Sequence, residues 1–216
     1  NGRRLWIDAH VHVYADLSSG RPEFDAENLF AVMDADPAHL VCILTNARPD
    51  YGQLRRCPAD FVRLTNEAQL ELVAQLPPGR AFGSIAVHPG AVSESMRAIE
   101  VYATEHGFVQ VGEILGYALG FDLDSPEMIE IARHAAHFGL PLQCHCSTIG
   151  QPEGEQFFQA VNLARQVPEA KVIAAHAIGG TNSWMHITGA QIYYATGGAN
   201  LWLEIRDFNT RSYLRA

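Results

Sequence analysis

Two histidines near the amino terminus are the first candidates for chemistry. In the segment Asp8-Ala9-His10-Val11-His12, which belongs to an apolar run, an extended backbone would point Asp8, His10 and His12 to the same face. Two imidazoles with this spacing at a strand end can bind one metal ion. The alternative is a hydrogen-bonded pair inside the fold, because an isolated His-x-His pair is a weak motif in a chain of 216 residues with ten histidines.

A carboxylate lies in another apolar segment. Glu113 occurs within Phe108–Leu115, and a carboxylate in a buried strand is costly unless it is paired or bound to metal. We interpret Glu113 as a metal ligand. The alternative is an ion pair with an interior arginine.

Two further histidines follow apolar runs. His145 lies between Cys144 and Cys146, and strand alternation turns both thiols away from the face of His145. The sequence therefore predicts two small apolar cysteines under the helices and one inward histidine. His176 follows the run Val172–Ala175 and precedes a glycine-rich segment, which favours a ligand over a core residue.

Two other histidines are harder to interpret. His88 precedes Pro89 and Gly90, and either contacts substrate or caps a turn; we assign it to substrate binding. His186 lies in the segment 179–198, which indicates a loop and a helix without fixing their bounds.

Apolar strand-like segments alternate with amphipathic helical patterns along the whole chain. Ser125 followed by Pro126, for example, is typical of a helix start, and Gly139 of a helix end. This alternation predicts parallel βαβ units. The predicted strands are Leu5–Val13, Leu40–Thr45, Ala81–His88, Phe108–Leu115, Leu140–Cys146, Val172–His176 and Leu201–Ile205.

Two α/β architectures fit this alternation, an open doubly wound sheet and a (β/α)₈ TIM barrel. The candidate ligands fall at the ends of several different strands, as in a barrel. A dinucleotide-binding sheet would need a glycine-rich turn after its first strand, and Val11–Asp16 contains no glycine. We predict one barrel domain over residues 1–216 that lacks the last helix and strand.

Composition narrows the function classes. The chain has 15 Lys and Arg against 24 Asp and Glu, a formal net charge of −9, which disfavours electrostatic binding of nucleic acid. No apolar run approaches the roughly 20 residues that cross a bilayer. The four cysteines show no disulfide framework, so we expect a reducing cytoplasm.

Taken together, these motifs resemble the amidohydrolase superfamily, including its TatD-like and amidohydrolase 2 groups. The resemblance implies a (β/α)₈ barrel with one or two divalent ions, for which we expect zinc. It implies that His10 and His12 hold one ion, that Glu113 bridges or joins it, and that His145 and His176 hold the other. The matching segments are Asp8–His12, Gly112-Glu113-Ile114, Gln143–Cys146 and Ala175-His176.

The chain departs from the family pattern in two ways. Many members bridge two ions with a carbamylated lysine on the fourth strand. The only lysine here, Lys171, precedes His176 by five residues, which is about 16 Å along a strand, so we exclude a carbamate and place Glu113 in that role. The family's general base is an aspartate on strand eight. The sequence ends at Ala216, and we expect the gene product to continue by one helix and one strand ending in aspartate.

The resemblance implies a metal-dependent hydrolase in which a divalent ion activates water. We favour a small-molecule amide, lactone or ester as substrate. The alternatives are a TatD-like deoxyribonuclease or phosphodiesterase, a decarboxylase of the amidohydrolase 2 type, and a metal-binding but inactive barrel. Assembly into a homo-oligomer stays open.

Overall fold

The structure, a computed structural model, describes most of the chain, and the chain divides into two compact units, Asn1–Glu113 and Ile114–Ala216. The single domain predicted over residues 1–216 stays a prediction. Residues 209–216, whose sequence favours the start of the last helix, lie outside the described residues. The described residues are 6–12, 31, 35, 40–45, 56–76, 78–146, 155–178 and 183–205.

The first unit is built on parallel strands that pair in the order of the chain, β1 with β2, β2 with β3 and β3 with β4. Helix α1 (Pro58–Ala74) connects β2 to β3, and helix α2 (Val92–Thr104) connects β3 to β4. The strands are β1 (Trp6–His12), β2 (Leu40–Thr45), β3 (Ala81–Ile85) and β4 (Gln110–Ile114).

Helix α1 is fixed to the ends of two strands by buried amides. Gln69 donates a hydrogen bond to the carbonyl oxygen of Leu44 in β2. Asn66 donates to the carbonyl oxygen of Ala86 at 2.9 Å and accepts the Ala86 N–H at 2.9 Å. Buried backbone groups need such partners wherever no ladder provides them. The α1 face that packs inward therefore also holds the segment that follows β3.

That contact explains why β3 is shorter than predicted. The sequence predicts a strand to His88, but β3 ends at Ile85, because Asn66 takes both backbone polar groups of Ala86. His88 instead begins a 3₁₀ turn at Pro89–Ala91. A proline has no N–H for a ladder, which also ends the strand.

In the part of the second unit that the structure describes, the strands are β5 (Pro141–His145), β6 (Lys171–Ile178) and β7 (Leu201–Ile205), again parallel and paired in chain order. One of its helices, α4 (Pro126–His137), begins after a capping residue. Ser125 accepts the N–H of Met128 at 3.3 Å, as the sequence predicts for the start of α4. The helices are α3 (Gly116–Leu119), α4 (Pro126–His137), α5 (Glu155–Gln166) and α6 (Ser183–Ala195).

Alternating strands and helices with parallel, in-order pairing confirm the predicted α/β class of the TIM-barrel type. The bounds of β2 and β7 are as predicted, and β6 extends to Ile178 rather than ending at His176. Among the helices that the structure describes, none is long and apolar enough to cross a bilayer.

Candidate functional site

Three of the predicted ligands meet in the first unit. The Nε2 atoms of His10 and His12 lie 2.9 Å apart. Oε2 of Glu113 lies 3.3 Å from Nε2 of His10 and 3.4 Å from Nε2 of His12. The Glu113 side chain is 1% exposed, against 5% for His10 and 30% for His12. Two imidazoles thus face one buried carboxylate, with the His12 side open to a ligand.

Local backbone structure sets the direction of the His10, His12 and Glu113 side chains. Between Asp8 and Val11 the pairing of β1 with β2 shifts register, and such a bulge re-aims side chains. Asp8, predicted on the same face as the histidines, is exposed and accepts the N–H of His10 at 3.1 Å. On β4, the Glu113 N–H donates to the hydroxyl of Thr45, which is fully buried at the end of β2.

The donor set fits a divalent ion. Ligand atoms about 2.0–2.1 Å from a tetrahedral ion lie about 3.3–3.4 Å apart, and both histidine–glutamate distances match that spacing. Imidazole nitrogen and carboxylate oxygen are also the donors that zinc and manganese accept. A buried carboxylate needs a compensating positive charge, which an ion held by this group would supply.

The other two predicted ligands meet in the second unit. The ring centroids of His145 and His176 are 5.2 Å apart, edge to face. Tyr117, in α3, places its ring 4.6 Å from that of His145. His145 is buried at the end of β5, and His176 is half-buried in β6. The sequence did not single out Tyr117.

Glu204 is a residue of this group that sequence reasoning missed. It lies on β7, and its Oε2 accepts the backbone N–H of His176 at 2.9 Å and lies 3.7 Å from Nδ1 of the same residue. Nε2 of Gln143 lies 3.5 Å from Oε1 of Glu204. The sequence contained a signal for Glu204, because this carboxylate lies within an apolar strand segment just as Glu113 does.

His186, which the sequence could not place, is buried in α6. Its Nδ1 donates to the carbonyl oxygen of Ala177 at 2.8 Å, and its ring stacks on Phe157 at a centroid distance of 4.6 Å. Burial lowers the pKa of His186, opposed by the hydrogen bond to Ala177.

His88 caps the turn that it begins. Its Nδ1 accepts the N–H of Gly90 at 2.9 Å, and its own N–H donates to Ser95 at 2.9 Å. Burial lowers the pKa of His88 to about 4, so the ring is neutral at physiological pH. The turn-capping alternative is thereby seen directly, while its contact with substrate stays a prediction.

The other described cysteines and histidines and Lys171 belong to neither group. Sγ of Cys146 lies 3.9 Å from the carbonyl oxygen of Gln156 in α5, as strand alternation predicts for a thiol under a helix. Cys144 is fully buried in β5. Lys171 is exposed at the first residue of β6. His106 and His137 are exposed and His134 is half-buried.

The fold is shared with solved enzymes at low sequence identity. 2,6-Dihydroxybenzoate decarboxylase from Rhizobium matches with a TM-score of 0.60 at 16% identity, covering 86% of this chain and 69% of that one. 5-Carboxyvanillate decarboxylase from Novosphingobium aromaticivorans, solved with manganese, matches with a TM-score of 0.59 at 16% identity, covering 93% of this chain and 74% of that one. These matches confirm the fold class.

A third solved structure carries a different activity. A probable 2-pyrone-4,6-dicarboxylic acid hydrolase from Acinetobacter baumannii, with citric acid bound, has a TM-score of 0.59 at 17% identity, covering 97% of this chain and 74% of that one. A comparison with curated proteins gives no match. The family described as Amidohydrolase matches residues 7–206. This chain, with its histidine pair on β1 and its buried glutamate on β4, therefore belongs to the amidohydrolase family of enzymes.

Proposed function

We propose that His10, His12 and Glu113 hold a divalent metal ion, and that the enzyme hydrolyses an amide, lactone or ester bond in a small molecule. The observation that carries the proposal is the meeting of two imidazole nitrogens and one buried carboxylate oxygen within 2.9–3.4 Å. These three donors neutralise only half the charge of a divalent ion, so the site can also polarise a bound oxygen.

The same role is proposed for His145 and His176 toward an ion, on the family pattern and on the closeness of their rings. When bound, a divalent ion supplies Lewis acidity, lowering the pKa of water and polarising the scissile carbonyl. The protein residues orient the donors: Thr45 holds the backbone of Glu113, and the imidazoles contribute nitrogen donors. His88 is proposed to contact substrate.

Decarboxylation is the second candidate reaction. Two of the solved structures with this fold are named as decarboxylases of aromatic acids, and a third as a hydrolase of a pyrone dicarboxylic acid. The substrates named for these three proteins are all acids, whose anionic groups an incompletely neutralised ion would attract. A phosphodiesterase of the TatD-like type is disfavoured, because the net charge of −9 repels polyanions.

Several finer properties complete the proposal. Zinc is the expected ion, with manganese the alternative that a solved structure of the same fold suggests. A reducing cytoplasm is proposed as the compartment, because the spacing of the four cysteines in the sequence shows no disulfide framework. Assembly into a homo-oligomer is left to a measurement of mass in solution.

The test is turnover by metal-loaded protein on two substrate panels, one of lactones, amides and esters and one of hydroxylated benzoic acids. Hydrolysis is followed by acid release and decarboxylation by carbon dioxide. We expect hydrolysis that chelation abolishes and that zinc or manganese restores. Carbon dioxide release without hydrolysis would replace the first reaction with the second. Activity that survives complete removal of metal would refute the proposal.

A further inference from the structure

The backbone around His176 departs from a regular strand. Val172, Ile173 and Ala174 pair with successive residues of β7, but the next pair is Ile178 with Ile205. Three residues of β6, 175–177, thus lie opposite one residue of β7, Glu204, which is a bulge. Within it, His176 has φ of +58°, a left-handed conformation that is uncommon for a residue with a side chain. Such a conformation persists only where its surroundings hold it.

Two side chains take up backbone groups that the bulge removes from the ladder. Oε2 of Glu204 accepts the N–H of His176 at 2.9 Å. Nδ1 of His186 donates to the carbonyl oxygen of Ala177 at 2.8 Å. The bulge is thus held by one side chain from β7 and one from α6, as buried backbone groups require.

Glu204 is suited to this role by its chemistry. A carboxylate only accepts hydrogen bonds, and bonds to a charged acceptor are the stronger ones. With Oε2 on the N–H of His176 and Oε1 3.5 Å from Nε2 of Gln143, Glu204 connects three neighbouring strands. Its position fixes where the backbone of His176 turns, and therefore where the imidazole points.

We infer that Glu204 is a positioning residue for His176: its carboxylate holds the β6 bulge and so sets the direction in which the His176 imidazole offers its nitrogen to a metal ion. The inference rests on the proposed function, because it takes His176 as a ligand. Groups behind the ligands commonly change metal affinity by about 10–100-fold when they are replaced.

Cobalt(II) titration of the full chain, followed by visible absorption, tests the inference. Glu204→Gln keeps an acceptor oxygen but loses the charge, so we expect affinity to fall by about tenfold. Glu204→Leu removes the carboxylate that accepts the His176 N–H, and we expect a fall of about 100-fold and a changed absorption spectrum. Glu169→Gln, at an exposed residue of the same unit, removes the same charge and should behave as wild type.

The double variant separates positioning from direct binding. If Glu204 acts through His176, then Glu204→Gln has no further effect on cobalt affinity once His176→Ala is present. An additional loss in that background would make Glu204 a ligand in its own right and overturn the inference. Wild-type affinity and spectrum in folded Glu204→Gln would overturn it as well.

The same titration distinguishes failure of the inference from failure of the proposed function. Absence of cobalt binding in wild type refutes the metal site itself, and the inference with it. If His10→Ala weakens cobalt binding and His176→Ala leaves it unchanged, the ion site of the first unit is supported and the inference about Glu204 is refuted. Should Glu204→Leu not fold, judged by circular dichroism, the Glu204→Gln series still decides.

Discussion

The two histidine groups of this enzyme are positioned in different ways. In the first unit, His10 and His12 reach Glu113 directly with their ring nitrogens, and both come from one short segment of β1. In the second unit, His176 contacts Glu204 chiefly through its backbone, within a bulge supported from β7 and α6. The histidine pair of the first group is set by local spacing on β1, and Glu113 reaches it from β4. In the second group, even the backbone at His176 depends on contacts from distant segments.

The largest expected effect is the loss of metal affinity when a residue of the first group is replaced. His10→Ala, His12→Ala or Glu113→Gln should each lower the affinity for zinc or manganese by at least about 100-fold, because the histidine variants remove a donor nitrogen and Glu113→Gln removes the charge of a ligand rather than of a group behind one. Metal analysis after gel filtration, with competition for affinity, measures this. Glu67→Gln, an exposed carboxylate on α1, is the charge-matched control. Equal metal content in all three variants and wild type would refute the assignment.

The pH dependence of stability compares one buried histidine from each unit, His88 and His186. His88 accepts at Nδ1 and its pKa is lowered to about 4 by burial, so the unfolded chain binds a proton that the folded chain does not. Stability is then lost as pH falls from 6.5 towards 4, by up to about 3 kcal/mol. His88→Asn keeps an acceptor for Gly90 without titrating.

Urea unfolding of wild type and His88→Asn at pH 7 and pH 4.5 measures that difference. The variant should lose less free energy of unfolding on acidification. His186 should contribute less to acid sensitivity, because its hydrogen bond to Ala177 opposes the lowering of its pKa by burial. If wild type and His88→Asn lost the same free energy of unfolding between pH 7 and pH 4.5, the lowered pKa of His88 would be refuted.

A smaller effect is expected at the support of the second group. His186→Phe keeps an aromatic ring to pack on Phe157 but leaves the carbonyl oxygen of Ala177 without its donor. Loss of such a bond costs about 1–3 kcal/mol. We expect about 2 kcal/mol in the free energy of unfolding at pH 7, measured with urea. An unchanged midpoint would mean that the bulge does not need this bond.

The smallest effects mark what lies outside both groups. Cys146→Ser and Lys171→Arg should leave metal content as in wild type, because the thiol faces α5 and the lysine lies at the first residue of β6. Metal analysis provides the check. If Cys146→Ser lost metal and Glu113→Gln retained it, the assignment of Glu113 to the metal site and of the Cys146 thiol to the helix side would be wrong.

Spacing and polarity predicted the strands and the first group because both are local signals. β2 and β7 have the predicted bounds, and the cap at Ser125 forms as expected. The end of β3 could not be read locally, since it depends on Asn66, 20 residues before Ala86. Glu204 was missed although the argument used for Glu113, a carboxylate in an apolar strand, applies to it unchanged.

The central claim, that His10, His12 and Glu113 hold a divalent ion, is tested most directly by anomalous diffraction from crystals of zinc- or manganese-loaded protein. The account predicts an anomalous peak about 2.0–2.2 Å from Nε2 of both histidines and from a carboxylate oxygen of Glu113. Ions bound at other residues, with no peak in contact with these three side chains, would contradict it.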